Sequence, residues 1–154
     1  MFAAIVVEAA PRLAAQPSGF NIFHQKRAGA VLAYVEAQSK RLGRRMMVRL
    51  VKGAYWDTEV KRAQERGLDG YPVFTRKAAT DASYLACARQ MLNARPTLFP
   101  QFATHNALTV ATIMEMAGAD KTGFEFQRLH GMGETLYKSV TEGGDKIACR
   151  IYAP

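Results

Sequence analysis

Apolar positions along the chain recur with two different periods, and the alternation of these periods predicts alternating helices and strands. Between residues 25 and 42 apolar side chains recur at near-helical spacing, and Gly43 ends the pattern. The segment Met46–Val51 is continuously apolar except for Arg49, which is typical of a buried strand. This first helix and strand set an order that the rest of the chain repeats.

The later segments continue the alternation of helix and strand. We predict helices over residues 57–67, 80–92 and 106–117 and from Glu134, with N-caps at Asp57, at Thr80 or Asp81, and at Asn106. We predict strands over residues 97–104, 124–129 and 146–152. Residues 1–20 have no clear period. The sequence allows one further short strand near them, over residues 19–23.

Strands that alternate with helices imply parallel strands joined by right-handed crossovers. Two architectures have this order, the open doubly wound sheet and the closed βα barrel. No G-x-G-x-x-G motif follows any strand, which weakens the dinucleotide-binding open sheet. A closed barrel usually needs about 200 residues or more, and this chain has 154 with four or five predicted strands. We therefore predict an α/β fold that is a partial βα barrel.

Composition and charge narrow the function only slightly. The net charge of +8 permits an anionic partner, but the basic residues are scattered apart from the cluster Lys40–Arg45, which is typical of a solvated helix end. No nucleic-acid motif accompanies that cluster, so we predict no nucleic-acid site. Cys87 and Cys149 match no metal-ligand spacing, which predicts reduced thiols and no metal site.

The first residues contain a weakly apolar segment that could be mistaken for a secretion signal. Basic residues do not precede this segment, and Glu8 and Arg12 interrupt it. We therefore predict a cytoplasmic rather than a secreted protein.

Polar side chains occur at the carboxyl end of each predicted strand, where βα barrels build their active sites. Arg49 lies among apolar neighbours and must find an anion or a structural carboxylate. Lys52 adds a second cation at the same strand end. The adjacent Tyr55 and Trp56 could stack on a planar cofactor or simply pack. His105 follows the next strand and could bind a ligand or only form a structural hydrogen bond. The pattern alone thus predicts an anion-binding barrel site and no particular reaction.

Five strings at these strand ends and helices carry a family resemblance. They are RLVKGAYWDTEVKRAQERGLDGYPVFTRK, TDASYLACARQML, FPQFATHNA, FEFQRLHGMGE and CRIYAP. Together they resemble the proline dehydrogenase domain of the bifunctional proline utilization A flavoenzymes, and the resemblance covers about residues 25–154. It implies a distorted βα barrel that binds FAD at the strand ends, oxidises L-proline to 1-pyrroline-5-carboxylate and passes the electrons to a quinone.

The resemblance also implies roles for individual residues. Arg49 matches an arginine near the flavin N5 edge, and Tyr55, Leu129 and Tyr152 match residues beside the proline. The catalytic set it implies is Arg49, Tyr55 and Tyr152. The residues that match cofactor contacts are Arg49, Val51, Lys52, Gly53, Ala54, Trp56, Thr75, Arg76, Lys77, Ala103, Thr104, His105, Asn106 and Gln127.

Two departures from the family qualify these expectations. Residues 1–24 do not follow the family, so we divide the chain into a divergent segment, 1–24, and the second half of the barrel, 25–154. The family's final helix, whose paired arginines hold the proline carboxylate, has no counterpart in this sequence. An alternative hypothesis is therefore an incomplete barrel that at most binds flavin or anions. For the parent protein the resemblance implies homo-oligomers and peripheral association with the inner membrane.

Overall fold

The computed structural model describes residues 3–7, 20–22, 25–52, 56–144 and 146–153, with the backbone alone for residues 3–7, 20–22 and 25. The strands are β1 (Ala3–Val7), β2 (Phe20–Ile22), β3 (Met46–Lys52), β4 (Leu98–Ala103), β5 (Glu125–Leu129) and β6 (Cys149–Tyr152). The helices are α1 (Ala28–Leu42), α2 (Trp56–Glu65), α3 (Lys77–Asn93), α4 (Ala107–Ala117) and α5 (Glu134–Glu142), and a 3₁₀ turn over Gln25–Arg27 precedes α1.

These strands form one sheet in the order β2-β1-β3-β4-β5-β6. Strands β3 to β6 are parallel to one another, and helices connect each to the next. The α/β class and the partial barrel predicted from the alternation of elements are confirmed. β2 falls inside the segment considered as a short strand, whereas β1, antiparallel to both β2 and β3, was not predicted.

Two helix ends agree with the residues that were predicted to form them. Gly43 follows α1 in the left-handed conformation, with φ of 59°, which a glycine adopts without strain, and its N–H donates to the Lys40 carbonyl at 3.2 Å. Asn106 is the N-cap of α4, since its Oδ1 accepts a hydrogen bond from the Thr109 N–H at 2.9 Å.

Two other predicted N-caps are wrong. Asp57 is the second residue of α2, where its charge still suits the positive end of the helix dipole. α3 begins at Lys77, so Thr80 and Asp81 lie in its first turns instead of capping it. Thr80 is fully buried, and the Asp81 carboxylate binds lysine side chains rather than backbone N–H groups. Both residue types favour N-caps, but these side chains have tertiary partners or burial instead.

The hydrophobic core lies between the parallel strands and the helices. Alternate strand residues point toward the helices, and Val48, Leu50, Phe102 and Phe126 are completely buried there. The helices contribute buried side chains that pack against them, including Leu32, Tyr84, Met91, Ile113 and Tyr137. Among the described helices, none is both long enough and apolar enough to span a membrane.

The intervening strand positions point to the opposite face of the sheet, and a group of them near the middle of that face is polar. In register across β3, β4 and β5 stand Arg49, Gln101 and Glu125, and Gln127 of β5 pairs with Arg150 of β6. Gln101, Glu125 and Gln127 are each at most 5% exposed. The sheet therefore has an apolar helix-facing side and a polar inner side, which is the polarity expected of a barrel whose interior binds a ligand.

The aromatic cluster on the helix-facing side yields a stability prediction. The Phe126 ring packs edge-on against Phe124 and at a tilt of 53° against Tyr137, with centroids 5.8 Å apart in both pairs. We expect Phe126→Ala to lower the free energy of unfolding by about 3–5 kcal/mol, because it leaves a cavity in the core. Leu108→Ala is the matched control, since Leu108 is 77% exposed and its loss should change stability by less than about 0.5 kcal/mol. Urea unfolding followed by circular dichroism measures both; equal effects would contradict this description of the core.

Candidate functional site

A cavity of about 340 Å³ opens where the carboxyl ends of β3, β4, β5 and β6 meet. This volume lies in the usual range for small-molecule sites, about 300–1,000 Å³. Because parallel strands end at one edge of the sheet, residues distant in sequence are brought together around it. The lining residues are Val51, Lys52, Lys77, Asp81, Ala103, Thr104, His105, Asn106, Leu129, Met132 and Tyr152.

Lys52 is held at the cavity by three different groups. Its Nζ donates to Asp81 Oδ1 at 3.0 Å and to Thr109 Oγ1 at 2.9 Å, and it lies 4.8 Å from the centroid of the Tyr84 ring. Thr109 Oγ1 also lies 3.2 Å from the α4 cap oxygen, Asn106 Oδ1. A chain of polar contacts thus connects the end of β3 to the first turn of α4.

Asp81 neutralises two lysines at the edge of the cavity. Its second carboxylate oxygen binds Lys77 Nζ, while the first binds Lys52. The hydrogen bond from Lys77, followed by that from Lys52, outweighs burial and lowers the pKa of Asp81. Both cations that line the cavity therefore share one ionised carboxylate.

His105 joins the end of β4 to the end of β5. Its Nε2 accepts a hydrogen bond from the Leu129 N–H at 3.0 Å, so this nitrogen carries no proton in the folded chain. Burial, and next the positive charge of Arg128, lower the pKa of His105 below its ordinary value. We predicted that His105 either binds a ligand or forms a structural hydrogen bond, and this contact is a structural hydrogen bond.

Tyr137 of α5 fixes the end of β4 from the other side. Its hydroxyl donates to the Thr104 carbonyl at 2.7 Å, and burial is the main cause that raises the pKa of Tyr137. Gly133, with φ of 66°, precedes α5 and lies against the rings of His105 and Tyr137. A Cβ at Gly133 would lie 3.5 Å from the nearest atom of each ring. The left-handed backbone favours glycine at this position, whereas the space itself would accept a Cβ at ordinary van der Waals distance.

Arg49 reaches Tyr152 across the inner side of the sheet. Its guanidinium carbon lies 5.4 Å from the centroid of the Tyr152 ring, although β4 and β5 separate their strands. The Arg49 Nε is buried and has no hydrogen-bond partner among the described residues. A buried, unpaired donor on a cation indicates a position suited to an electron-rich or anionic group.

The structure brings most of the predicted site residues together. Those that line the cavity are Val51, Lys52, Lys77, Ala103, Thr104, His105, Asn106, Leu129 and Tyr152. Arg49 and Gln127 lie on the polar inner side of the same strands. Gly53, Ala54 and Tyr55 fall outside the described residues.

Like Arg49 and Gln127, three further predicted residues are not among those that line the cavity. Trp56 begins α2, and its indole N–H donates to the Phe74 carbonyl at 2.9 Å. Thr75 and Arg76, in the segment before α3, have exposed side chains. They remain predicted cofactor contacts, from the resemblance alone.

Sequence reasoning missed several polar residues beside the site. Asp81 was interpreted only as an N-cap, and Thr109, Gln101 and Glu125 were not singled out. Gln101 and Glu125 could have been noticed as polar residues inside strands otherwise rich in apolar side chains. No group of three or more His, Cys, Asp and Glu side chains within the described ranges could hold a metal ion.

Comparison with known proteins identifies the family. The model of the proline dehydrogenase family matches residues 22–154. The chain belongs to the proline dehydrogenase family. The match begins close to the boundary at which residues 1–24 were expected to diverge.

Relatives of this proline dehydrogenase chain are bifunctional proteins named PutA. The one from Salmonella typhimurium is 54% identical over 137 residues, and the one from Rhizobium meliloti is 55% identical over 133 residues. These alignments cover 85% and 84% of the chain but only 10% and 11% of the relatives. The chain therefore spans about a tenth of the length of the curated relatives it matches.

Solved structures of proline utilization A (PutA) have the same arrangement of elements. A point mutant from Bradyrhizobium japonicum is 66% identical, with a TM-score of 0.80, over 85% of this chain and 13% of that one. The protein from Bdellovibrio bacteriovorus, crystallised after inactivation by N-propargylglycine, is 36% identical, with a TM-score of 0.78, over 85% and 14%. The partial barrel is thus the fold of this region in proline dehydrogenase domains.

The lowered pKa of His105 predicts a pH dependence of stability. Because the folded-state pKa lies below the ordinary value of 6.5, the unfolded chain takes up the proton first as the pH falls. The free energy of unfolding should therefore decrease with falling pH from about 6.5, until the folded pKa is passed. We expect His105→Gln to reduce this slope, whereas His130→Gln, exposed after β5, should retain it. Urea unfolding between pH 5 and 8 tests this; equal slopes in all three proteins would contradict it.

Proposed function

We propose that this chain forms the cofactor-facing part of an FAD-dependent enzyme that oxidises L-proline to 1-pyrroline-5-carboxylate. The observation that supports it best is the convergence of four parallel strand ends on one cavity, lined by residues that the resemblance assigns to FAD and proline. Membership of the proline dehydrogenase family supports the same substrate and reaction. In this proposal the chain is a segment of a longer bifunctional protein.

The side chains around the cavity fit FAD. FAD combines negative phosphates with a planar ring system that accepts electrons and gains negative charge when it is reduced. Arg49 offers a buried Nε that has no partner among the described residues, which suits the ring system. Lys52 and Lys77 supply positive charge at the cavity edge, which suits the phosphates.

When bound, FAD would supply the redox chemistry of the proposed enzyme, namely a hydride acceptor for proline and a route for the electrons to a quinone. The residues that would hold FAD are the cofactor contacts that the resemblance implies. They are Arg49, Val51, Lys52, Gly53, Ala54, Trp56, Thr75, Arg76, Lys77, Ala103, Thr104, His105, Asn106 and Gln127. The Arg49 cation favours negative charge beside it, and the Tyr152 ring limits where the guanidinium can move. Leu129 and Tyr152 supply apolar surface that packs on the proline ring and excludes water. Tyr55 completes this set by resemblance.

The remaining partners follow from the resemblance alone. They are the quinone acceptor, a peripheral position at the inner membrane and a homo-oligomeric parent protein. We propose a cytoplasmic location for that protein, as the interrupted apolar segment at residues 1–17 also predicts.

A second candidate is a barrel segment that binds flavin or anions without turnover. Within the described residues, β2 and β6 each pair with one neighbour only, so the sheet is not closed. Lys52 and Lys77, the cations that line the cavity, both bind Asp81, so part of the positive charge that would hold a substrate carboxylate is already offset. A carboxylate without a charge-assisted partner binds weakly.

Flavin binding tests the role of Arg49. We expect Arg49→Ala to weaken FAD binding about tenfold, since a hydrogen bond to a charged group contributes about 1.5–3 kcal/mol. Arg89→Ala is the matched control, because Arg89 is an exposed arginine on α3. Quenching of flavin fluorescence on titration with the 154-residue chain measures the affinity. Equal affinities of the wild type and Arg49→Ala would contradict the assignment.

Proline-dependent dye reduction separates the two candidates. We expect the chain, with FAD added, to reduce no dye when L-proline is supplied, because its cavity-lining lysines are already paired. Turnover by the chain would rule out the second candidate, whereas flavin binding without turnover agrees with both, because the first candidate assigns the reaction to the longer protein. A full-length relative, assayed alongside, confirms that the dye and the conditions detect proline oxidation.

A further inference from the structure

Glu125 is a buried carboxylate on the polar inner side of the sheet, and the mechanism proposed above gives it no role. It is 5% exposed and accepts four hydrogen bonds. Arg150 donates from Nε to Oε1 at 2.7 Å and from a terminal nitrogen to Oε2 at 3.0 Å. Gln101 and Gln127 donate from Nε2 to Oε1, at 2.7 Å and 3.0 Å. Burial alone would raise the pKa of Glu125, but these hydrogen bonds outweigh it and lower the pKa.

An ionised carboxylate only accepts hydrogen bonds, so it determines which way its amide neighbours face. Both glutamines must turn their NH₂ groups toward Glu125, and their carbonyl oxygens must therefore point away from it. The Gln101 oxygen is buried and has no partner among the described residues. Gln127 is the glutamine that the family resemblance assigns to cofactor binding.

The residue in register with Gln101 on the neighbouring strand also carries an unpaired donor. Gln101 pairs in register with Arg49, whose buried Nε likewise lacks a partner in the described part of the chain. A buried acceptor and a buried donor each cost free energy while they stay unpaired. Because the two residues are in register on adjacent strands, the two atoms suit a ligand edge that carries both a donor and an acceptor, as a planar heteroaromatic ring does.

We propose that Glu125 is a positioning residue that acts through Gln101 and Gln127. Held by Arg150, it fixes both amides so that their oxygens, together with the Arg49 guanidinium, form a row of defined acceptors and a donor for the ring of the cofactor. This inference rests on the proposed function for the identity of the ligand. The orientation of the two amides does not depend on that identity and is tested separately.

Nuclear magnetic resonance tests the orientation without any ligand. In ¹⁵N-labelled chain we expect the side-chain NH₂ signals of Gln101 and Gln127, assigned with Gln101→Met and Gln127→Met, to exchange slowly with solvent. Glu125→Gln replaces the acceptor-only group with an amide that also donates, so both signals should shift and exchange faster. Asp120→Asn is the matched control, because Asp120 is an exposed carboxylate paired with Arg95. Glutamine signals that are the same in Glu125→Gln and the wild type would overturn the proposal.

FAD titration tests the consequence of that orientation. We expect Glu125→Gln to weaken FAD binding about tenfold, which corresponds to the loss of one hydrogen bond involving a charged group. Gln101→Met should weaken it in the same direction while leaving the Glu125–Arg150 pair intact, so a folding defect in Glu125→Gln, seen by circular dichroism, does not remove the test. The double variant should lose less than the sum of the two effects, because both remove one contact.

The outcomes separate this inference from the proposed function. If the wild type binds FAD, and Glu125→Gln and Gln101→Met bind it equally well, the inference is wrong and the proposed function stands. If the wild type does not bind FAD, the proposed function fails for this chain, and the glutamine signals alone decide whether Glu125 orients the amides. Weaker binding in both variants but not in Asp120→Asn supports the inference.

Discussion

The contact between Arg49 and Tyr152 reveals the constraint on which the site depends, the curvature of the parallel sheet. In a flat sheet, strands β3 and β6 would be roughly 14 Å apart, three spacings of about 4.8 Å. The guanidinium nevertheless lies over the ring, so the inner face must be concave. Curvature together with a common strand direction places the ends of four strands around one cavity.

The same curvature accounts for the unequal chemistry of the two faces. The outer face is covered by helices, and its residues, such as Leu50 and Phe102, are completely buried. The inner face encloses polar groups in a space that water reaches poorly, so each group needs a partner. Glu125 satisfies this requirement by binding Arg150 and both glutamines. Asp81 does the same for two lysines at the rim. Interior carboxylates therefore organise the positive and amide groups of the site.

The fold could be predicted from the sequence because its signals are local. The alternation of helical and strand periods in the apolar positions identified the parallel strands. Gly43 and Asn106 marked helix ends correctly, since a left-handed turn and a side-chain cap involve only neighbouring residues. The N-cap at Thr80 or Asp81 was wrong because burial of Thr80 and the ion pairs of Asp81 prevailed over local preference. The N-cap at Asp57 was wrong by one residue, since α2 begins at Trp56. The antiparallel pairing of β1 was not foreseen, because its segment has no periodic pattern.

The residues around the cavity could be predicted, but their partners could not. Strand-end positions follow from the barrel pattern, which is why Lys52, Thr104 and Tyr152 were found. The pairing of Lys52 with Asp81 and Thr109 joins three separate elements, and no spacing in the sequence encodes it. The polar row of Arg49, Gln101 and Glu125 requires the register between strands, which only the folded sheet supplies. Tertiary register is thus the information that sequence patterns lacked.

The position of Trp56 has a practical consequence for spectroscopy. It is the single tryptophan of the chain, and its indole is tied to the Phe74 carbonyl in the connection that leads to α3. α2 contributes one buried residue, Ala63, so this region is attached to the body of the sheet by little apolar surface. Tryptophan emission therefore reports on the α2 region rather than on the core. A change in emission that precedes the loss of helical dichroism would measure local opening at the rim of the cavity, separately from global unfolding.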